Sequence, residues 1–189
     1  FSLNLKEISM KAFVIALAVA FGSMSAAPYV IDSTHSSVGF EVKHLMVSKV
    51  KGNFKKFSGE IEFDGKALTK LNGKVAIADI NTDNNTRDKH LNAPDFFDSK
   101  KFPDATLSMT KFEKGKVYAD LKIRDVVKNV VFDTEIGGPI KHPKTGKDII
   151  SVSLKGEINR KDFNVGEDTA DSSVSDKVII AIELEASAQ

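Results

Sequence analysis

Apolar and polar side chains alternate with a period of two along most of the chain after Pro28. Between residues 37 and 43, for example, Val38 and Phe40 fall on one face of an extended chain while Glu41 and Lys43 fall on the other. Such alternation is typical of half-buried antiparallel strands. It predicts strands over nine runs: 29–32, 37–43, 57–63, 71–80, 106–112, 117–123, 126–136, 150–158 and 178–186.

Turn signals separate several of these runs. The predicted turns lie at Asp64-Gly65, Lys114-Gly115, Gly137-Gly138-Pro139 and Thr145-Gly146. Many short strands with regular turns predict a sandwich or a closed barrel. Charged residues occupy the outer phase of nearly every run, so only one face is apolar. A single sheet closed on itself fits that pattern and leaves no exposed edge. We therefore predict an all-β fold, an antiparallel barrel of about eight strands in one domain.

Phenylalanine dominates the predicted interior. Eight of these residues fall in the inner phase of a strand or beside an end of the barrel: Phe40, Phe54, Phe57, Phe63, Phe96, Phe97, Phe112 and Phe132. An eight-stranded barrel is either filled by its own side chains or holds one small ligand. The sequence pattern leaves both alternatives open.

The segment 82–103 interrupts the strand pattern. Asn84 or Asn85 can accept from the free N–H groups of a first helical turn, which predicts one short helix over residues 86–91. Arg87, His90 and Leu91 then share one face of that helix. We predict that this segment closes one end of the barrel.

The residues that follow the helix allow a second interpretation. Phe96 and Phe97 can cover a ligand at the closed end, or they can simply fill the core, as buried phenylalanines usually do. Arg87 can meet a ligand, or it can form a salt bridge with Asp88 or Asp95.

Residues 1–27 have the pattern of a leader followed by a cleaved signal peptide. Met10 is the natural start, which makes residues 1–9 an upstream leader. Lys11, the apolar run 12–21 and the small residues 25–27 then match a secretory signal. The apolar run is too short to span a bilayer, although an uncleaved anchor is the alternative. We expect a mature domain over residues 28–189, located in the periplasm of a Gram-negative bacterium.

Composition and motifs exclude several classes of function. The chain has 27 Lys and Arg against 26 Asp and Glu, and removing Lys6, Glu7 and Lys11 with the leader leaves 25 of each sign. Balanced charge gives no electrostatic case for nucleic-acid binding. The chain has no cysteine, which excludes disulfides and thiolate chemistry.

Candidate catalytic groups are sparse. The sequence contains no nucleophile elbow, zinc-protease motif, phosphate loop or dinucleotide fingerprint. None of the four histidines, His35, His44, His90 and His142, is paired at metal-ligand spacing. We therefore predict no enzyme activity, no metal site and no cofactor.

Ordered blocks of sequence carry a family resemblance. They are Tyr29-Val-Ile-Asp32 with His35-Ser-Ser-Val-Gly-Phe40 and His44; Gly52-Asn-Phe54 with Phe57-Ser-Gly59; Thr82 through Arg87-Asp88-x-His90-Leu91 to Asp95-Phe-Phe97 and Phe102-Pro103; Leu121-x-Ile-Arg124 with Val126; and Ile158-Asn-Arg160-x-Asp162-Phe163. Together these blocks resemble the YceI family of periplasmic, lipocalin-like proteins over the whole mature length. Asn129 departs from the proline that is common in the family after a lysine such as Lys128, and we expect this to affect only the start of a strand.

The resemblance implies an extended, lipocalin-like barrel whose apolar tunnel holds a polyisoprenoid-type lipid. The ligand would be an isoprenoid quinone, a polyprenyl chain or a similar long-chain amphiphile. The family also implies a secreted or periplasmic location, no stable insertion into a membrane, and homodimers in some members. A secreted structural barrel without a ligand, and a haem- or quinone-linked redox accessory, are the alternatives.

The predicted ligand contacts fall into two groups. The lumen group follows the inner phase of the strands: Val38, Phe40, Val42, Ile61, Val75, Met109, Leu121, Phe132, Leu154 and Ile182. The mouth group combines the helical segment with one later arginine: Arg87, His90, Leu91, Phe96, Phe97 and Arg160. The lumen would hold the apolar chain, and Arg87, His90 or Arg160 would meet its polar head.

Overall fold

A computed structural model describes residues 26–189 of the chain. The predicted leader and signal peptide therefore lie outside the described residues, except for Ala26 and Ala27. The strands are β1 (Ala27–Ile31), β2 (Ser37–His44), β3 (Ser48–Phe54), β4 (Phe57–Phe63), β5 (Leu68–Ala76), β6 (Ile80–Asn81), β7 (Asp104–Glu113), β8 (Lys116–Ile123), β9 (Val126–Lys141), β10 (Asp148–Asn159) and β11 (Val174–Ala188). One α-helix, α1 (Asn85–Leu91), and two short 3-10 helices, Ile77–Asp79 and Arg160–Phe163, complete the described elements.

Eight strands close into a ring in the order β1, β4, β5, β7, β8, β9, β10 and β11, because β11 pairs back onto β1. All these pairings are antiparallel. Residues 174–183 of β11 pair instead with β2, which continues through β3 to β6. The predicted all-β barrel of about eight strands is confirmed.

The barrel has one apolar face, as the sequence pattern predicts. Along β8, Val117, Ala119, Leu121 and Ile123 are buried while the residues between them are exposed or half-buried. Charged side chains pair across the outer surface, as Lys70 does with Glu60 at 2.8 Å. Exposed pairs of this kind contribute under about 1 kcal/mol each, so burial of the inner face supplies most of the stabilisation.

The predicted short helix is confirmed and its cap is identified. The side chain of Asn84 accepts from the backbone N–H of Arg87 at 3.0 Å, and α1 starts at the next residue. The cap satisfies one of the free donors of the first turn, which is the role expected of Asn at this position.

Three details of the strand prediction are wrong. The strand β3 was missed because its lysines leave Val50 as the lone large apolar residue in its interior. The strand predicted over 71–80 ends at Ala76, where the 3-10 helix Ile77–Asp79 begins. Gly137-Gly138-Pro139 is not a turn but lies within β9.

The Gly-Gly-Pro sequence fits β9 because the pairing is irregular there. Ile140 pairs with Ile149 and Gly137 pairs with Ser151, so the register between β9 and β10 shifts at this point. A bulge tolerates a proline, since the missing N–H breaks no regular ladder hydrogen bond. The hairpin turn lies further on, where His142 N–H donates to Lys147 O at 2.8 Å.

Candidate ligand-binding cavity

One half of the barrel interior is filled by side chains. Tyr29 and Phe63 pack edge to face with ring centroids 6.2 Å apart, and Val117 and Val152 beside them have no exposed surface. Tight packing of this kind leaves no room for a ligand. This filled half lies where β1 pairs with β4 and with the end of β11.

The other half contains a cavity of about 180 Å³. Its wall begins at Leu71, Phe132 and Leu184, next to the filled half. It extends to Val42 on β2 and to Val174 at the start of β11. The barrel is therefore filled at one end and hollow at the other, which answers the question that the sequence pattern left open.

Among residues 26–189, no unpaired polar side chain points into the cavity. Five polar or charged residues contribute to it: Ser58, Asn72, Lys74, Thr106 and Arg160. The first four alternate along their strands with buried apolar residues such as Leu71 and Val75, so they lie in the outer phase. Only Arg160 is buried, with 4% of its surface exposed.

The guanidinium of Arg160 has all its donors in use. Its partners are the carbonyl oxygens of Ser175, Val165, Gly166, Thr169 and Val174 and the carboxylate of Asp176. An arginine side chain has five N–H donors, and these six contacts employ every nitrogen. Arg160 therefore holds the loop before β11 in place.

Two glycines make room for aromatic rings in the wall. A Cβ at Gly156 would lie 2.8 Å from Cδ1 of Phe132, and a Cβ at Gly52 would collide with the ring of Phe40. These rings therefore lie flat against the backbone of neighbouring strands. The flat wall keeps the cavity narrow and smooth.

The exposed part of the wall lies on one side. Phe40, Phe54 and Phe57, from β2, β3 and β4, are half-buried, whereas Phe132 and Leu154 on the opposite side are buried. Within residues 26–189, β3 and β4 are not joined by backbone hydrogen bonds between strands. The cavity therefore opens on the side of β2, β3 and the start of β4.

The segment after α1 closes one end, as predicted. Leu91, Phe96 and Phe97 line the cavity there beside Phe163 and Val165. The backbone N–H of Gly166 donates to Asp95 O at 2.9 Å, which ties the segment to the loop before β11. A Cβ at Gly166, which has a φ of +60°, would lie 2.8 Å from Phe96, so the two chains meet closely.

Arg124 connects the same two chains. Its Nη1 donates to Phe96 O at 2.8 Å and to Asn164 O, and its guanidinium lies 5.4 Å from the ring centre of Phe102. The closed end is therefore held by backbone hydrogen bonds and by two arginines, Arg124 and Arg160.

The family follows from this geometry together with the comparisons. A family model described as the YceI-like domain matches residues 29–186, which include every strand of the closed ring at least in part. The chain belongs to the YceI-like family.

Relatives of this YceI-like chain match it over most of their length. The crystal structure of a Campylobacter jejuni YceI protein is 45% identical, with a TM-score of 0.73, and the match covers 85% of this chain and 98% of that one. A UPF0312 protein of Staphylococcus aureus is 37% identical over 139 residues, 72% of this chain and 81% of the relative. A polyisoprenoid binding domain from Saccharophagus degradans has a TM-score of 0.63 at 17% identity, covering 87% and 100% of the two chains, and shows a shared fold.

Most of the predicted lumen residues line the cavity of this YceI-like domain. Eight of them do so: Val38, Phe40, Val42, Val75, Leu121, Phe132, Leu154 and Ile182. Ile61 and Met109 lie outside its wall. Ile61 belongs to the filled half, with 1% of its surface exposed, and Met109 is half-buried against the same core. The inner phase of a strand is the same in both halves, so periodicity alone could not separate them.

Arg87 and His90 lie outside the cavity wall. Arg87 donates through Nε to Thr82 Oγ1 at 2.7 Å and through Nη2 to Thr82 O at 2.7 Å. Thr82 in turn donates to Asp88 through its N–H at 2.9 Å and its hydroxyl at 2.6 Å. Arg87 therefore fixes α1 to the chain before it. The salt bridge expected as the alternative, to Asp88 or Asp95, is not formed.

His90 pairs instead with Asp95 on the outer surface, with Nε2 and Oδ2 2.8 Å apart and both side chains about 60% exposed. This hydrogen bond lowers the pKa of the Asp95 carboxyl below its usual value. Of the six predicted mouth residues, Leu91, Phe96, Phe97 and Arg160 contact the cavity and the other two do not.

Apart from Arg160, the prediction missed the cavity wall between residues 158 and 180. Ile158, Phe163, Val165, Val174, Val178 and Ile180 all contribute to it. Part of this stretch is a loop, in which no period-two pattern marks the inward residues. Ile158 and Ile180 lie in the inner phase of predicted strands and Phe163 ends a family motif, so these three positions carried a signal that could have indicated the wall.

A cluster of possible metal ligands lies outside the cavity. Asp32, His35 and Glu185 bring their ligand atoms within 4.8 Å of one another. The three groups already satisfy each other, because His35 Nδ1 lies 2.9 Å from Asp32 Oδ2 and 3.8 Å from Glu185 Oε1. We describe this group as the β1–β11 clasp, since it joins the end of β1 to β11.

Across residues 26–189, no helix is long and apolar enough to cross a membrane.

Proposed function

We propose that this YceI-like protein is a non-catalytic binding protein that carries a long-chain isoprenoid-type lipid in its cavity. The ligand class is an isoprenoid quinone, a polyprenyl chain or a similar amphiphile. One observation carries the proposal: the hollow half has an apolar wall whose one buried cation, Arg160, has no donor left for a ligand. A wall of this kind favours a hydrocarbon chain over any polar substrate.

The energetics suit a chain that is slender and long. Burial of roughly 500 Å² of ligand at about 25 cal/mol per Å² gives on the order of 12 kcal/mol before ordering costs. Those costs offset much of this gain, so micromolar or tighter affinity is expected. The cavity of about 180 Å³ resembles in size one that takes a single benzene-sized group. A longer chain must displace half-buried wall residues, and Phe40, Phe54 and Phe57 lie where that is easiest.

The polar head of the ligand then remains at the opening. Arg87, His90 and Arg160 hydrogen bond to protein groups, so a head group placed there must compete with those partners. A head group left in water at the side of β2, β3 and β4 avoids that competition. This arrangement favours ligands with small, weakly recognised head groups, as quinones and polyprenyl chains have.

The location belongs to the same proposal. The secretory pattern of residues 10–27 supports delivery to the periplasm of a Gram-negative bacterium through a cleaved signal peptide. Homodimers, implied by the resemblance for some family members, are also part of the proposal.

Native mass spectrometry of protein purified without organic solvent tests the function. A bound mass that is released by organic extraction and identified as a long-chain lipid supports the carrier. Bare polypeptide under the same conditions supports a structural barrel without a ligand. An absorption band of bound haem supports the redox accessory instead.

A further inference from the structure

The β2–β3 hairpin ends in an apolar turn with an uncommon backbone. Its two central residues, Leu45 and Met46, have φ angles of +50° and +55°. A β-turn with positive φ at both central positions strongly favours Asn-Gly there, because side chains with a larger Cβ substituent are strained. A leucine and a methionine at these positions are therefore the opposite of what the turn geometry selects.

These side chains are also exposed. Leu45 is 57%, Met46 55% and Val47 90% exposed, and together they form the contiguous apolar tip of the hairpin. We call Leu45, Met46 and Val47 the hairpin tip. Three consecutive exposed apolar residues at a turn contribute nothing to the core of the barrel, which indicates a partner outside it.

The hairpin tip is held in place where β2, which borders the cavity opening, meets the loop before β11. The N–H of Leu45 donates to Ser173 O at 2.9 Å, and the N–H of Val47 donates to His44 O at 3.2 Å. His44 pairs with Val174, which lines the cavity together with Val42. The tip thus projects from the strand that forms the edge of the opening.

Lysines lie directly behind the tip. Lys43 and Lys49 are opposite each other in the β2–β3 ladder, where like charges repel. Lys49 is partly compensated by Glu41 at 2.6 Å, and Lys51 lies 3.9 Å from the same carboxylate. The hairpin carries these three lysines and one glutamate, whereas the mature chain as a whole has balanced charge.

The neighbouring loop limits how far this positive charge extends. Glu167, Asp168 and Asp171 lie in the loop before β11 and are exposed. A purely electrostatic attachment to an anionic surface is therefore disfavoured. Apolar insertion must supply most of the attraction, with the lysines contacting groups of opposite charge at close range.

We propose that the hairpin tip inserts into the headgroup and acyl boundary of a phospholipid bilayer, with Lys43 and Lys49 against lipid phosphates. This contact would place β2 and β3, along which the cavity opens, against the membrane surface, so that a lipid tail passes between bilayer and cavity with little exposure to water. The inference rests on the proposed function, since a lipid carrier must exchange its ligand with a membrane.

The turn geometry supplies a sharp variant. The double substitution Leu45→Asn with Met46→Gly removes two of the three apolar tip residues and installs the sequence that this turn prefers. It should fold at least as stably as the parent protein, so lost binding cannot be attributed to unfolding. Ile140→Asn is the matched control, because Ile140 is 64% exposed and pairs with Ile149 near the opposite end of β11.

Sedimentation with phospholipid vesicles measures the contact directly. Vesicles of phosphatidylcholine, with and without phosphatidylglycerol, are mixed with each purified protein. We expect the double variant to lose at least about tenfold in vesicle partitioning, since most of the inserted apolar surface is gone. The Ile140→Asn control should partition like the parent. Equal partitioning of parent and double variant, or no partitioning of the parent, overturns the proposal.

Separate measurements distinguish this inference from the proposed function. Binding of parinaric acid, a soluble long-chain fluorescent probe, reports the cavity alone and should be the same in parent and double variant. Absence of probe binding with intact vesicle partitioning overturns the carrier function and leaves the docking contact standing. Size-exclusion chromatography covers the remaining case. If the parent is a dimer and the double variant is a monomer, a second copy of the chain covers the tip, which overturns membrane docking.

Discussion

Arg160 donates from Nη2 to Asp176 Oδ1 at 2.8 Å, with only 5% of the arginine side chain and 24% of the aspartate side chain exposed. The same guanidinium binds carbonyl oxygens on both sides of the loop before β11. That loop carries Val165 and Val174 into the cavity wall. One buried cation therefore determines the shape of the closed end without contacting a ligand through a free donor.

Replacing this arginine should destabilise the whole domain. Arg160→Met removes all the hydrogen bonds and leaves the carbonyl oxygens and Asp176 without their partner, which should cost about 3–5 kcal/mol of unfolding free energy. Urea denaturation followed by circular dichroism measures this value. Asp176→Asn, which removes only the charge of the half-buried partner, should cost markedly less. Equal losses for the two variants would show that the carbonyl contacts contribute little.

The two halves of the barrel interior should respond differently to a ligand. The chain has no tryptophan, so Phe40→Trp introduces a single reporter in the cavity wall and Tyr29→Trp introduces one in the filled half. Long-chain lipid should change the emission of the first reporter and leave the second unchanged. The measurement is a fluorescence titration with both variants checked for native circular dichroism. A response of neither tryptophan to any long-chain lipid would favour a structural barrel without a ligand.

Much of the fold could be predicted because it depends on local pattern. Period-two alternation gave most of the strands, and Asn84 marked the start of α1. The hollow half could not be separated from the filled half, because Ile61 and Val75 have the same phase and chemistry. What separates them is the packing of Tyr29 against Phe63, a contact between strands that are distant in sequence.

The roles of the arginines were equally hidden. Arg160 is saturated by backbone carbonyl oxygens, which every residue carries and no sequence pattern marks. Arg87 was expected either to meet the ligand or to pair with an aspartate, but its partner is Thr82. Hydrogen bonds of this kind depend on tertiary position, so sequence reasoning identified the right segment and not the partners within it.

A methyl group added at Gly156 should disturb the cavity wall. Its Cβ would lie 2.8 Å from Phe132, a ring that has no exposed surface and is enclosed by its neighbours. The clash should therefore cost about 1–3 kcal/mol, more than the gain that an alanine usually brings to a strand. Thermal or urea denaturation measures the loss. Gly146→Ala is an informative comparison: nothing lies within 4 Å of the added atom, so only the strain of its φ of +68° would contribute.

Arg87 should matter more for stability than for affinity. Its two hydrogen bonds to Thr82 anchor α1. The cavity wall is formed instead by Leu91, Phe96 and Phe97, further along the same segment. Arg87→Ala should lower the unfolding free energy by about 1–2 kcal/mol, in line with the loss of two partly buried hydrogen bonds. Thr82→Val should have a similar effect, because it removes the hydroxyl shared by Arg87 and Asp88. Normal stability with weakened lipid binding would show instead that Arg87 contacts the ligand.

The β1–β11 clasp should make stability depend on pH. The hydrogen bond that His35 donates to Asp32, together with the charges of Asp32 and Glu185, raises the pKa of His35 above its ordinary value of 6.5. Hydrogen bonds from Thr34 and then from His35 lower the pKa of Asp32. A histidine with a raised pKa in the folded state stabilises the fold below its unfolded pKa, and this contribution disappears as the pH rises through the folded value. For the aspartate the contribution is present above the unfolded pKa of 3.8 and disappears as the pH falls through the lower folded value.

The clasp therefore contributes most in weakly acidic solution and weakens as the pH rises past about 6.5. Melting temperatures measured from about pH 5 to about pH 9 should fall with rising pH in the parent protein, and His35→Asn should flatten that slope. His142→Asn is the control, since His142 lies in the turn after β9 and contacts the backbone of Lys144 and Thr145. Because the clasp is exposed, the change should be small, and its sign is the informative result. A slope that survives in His35→Asn would assign the pH dependence to other groups and leave the clasp as a hydrogen-bonded turn that does not depend on charge.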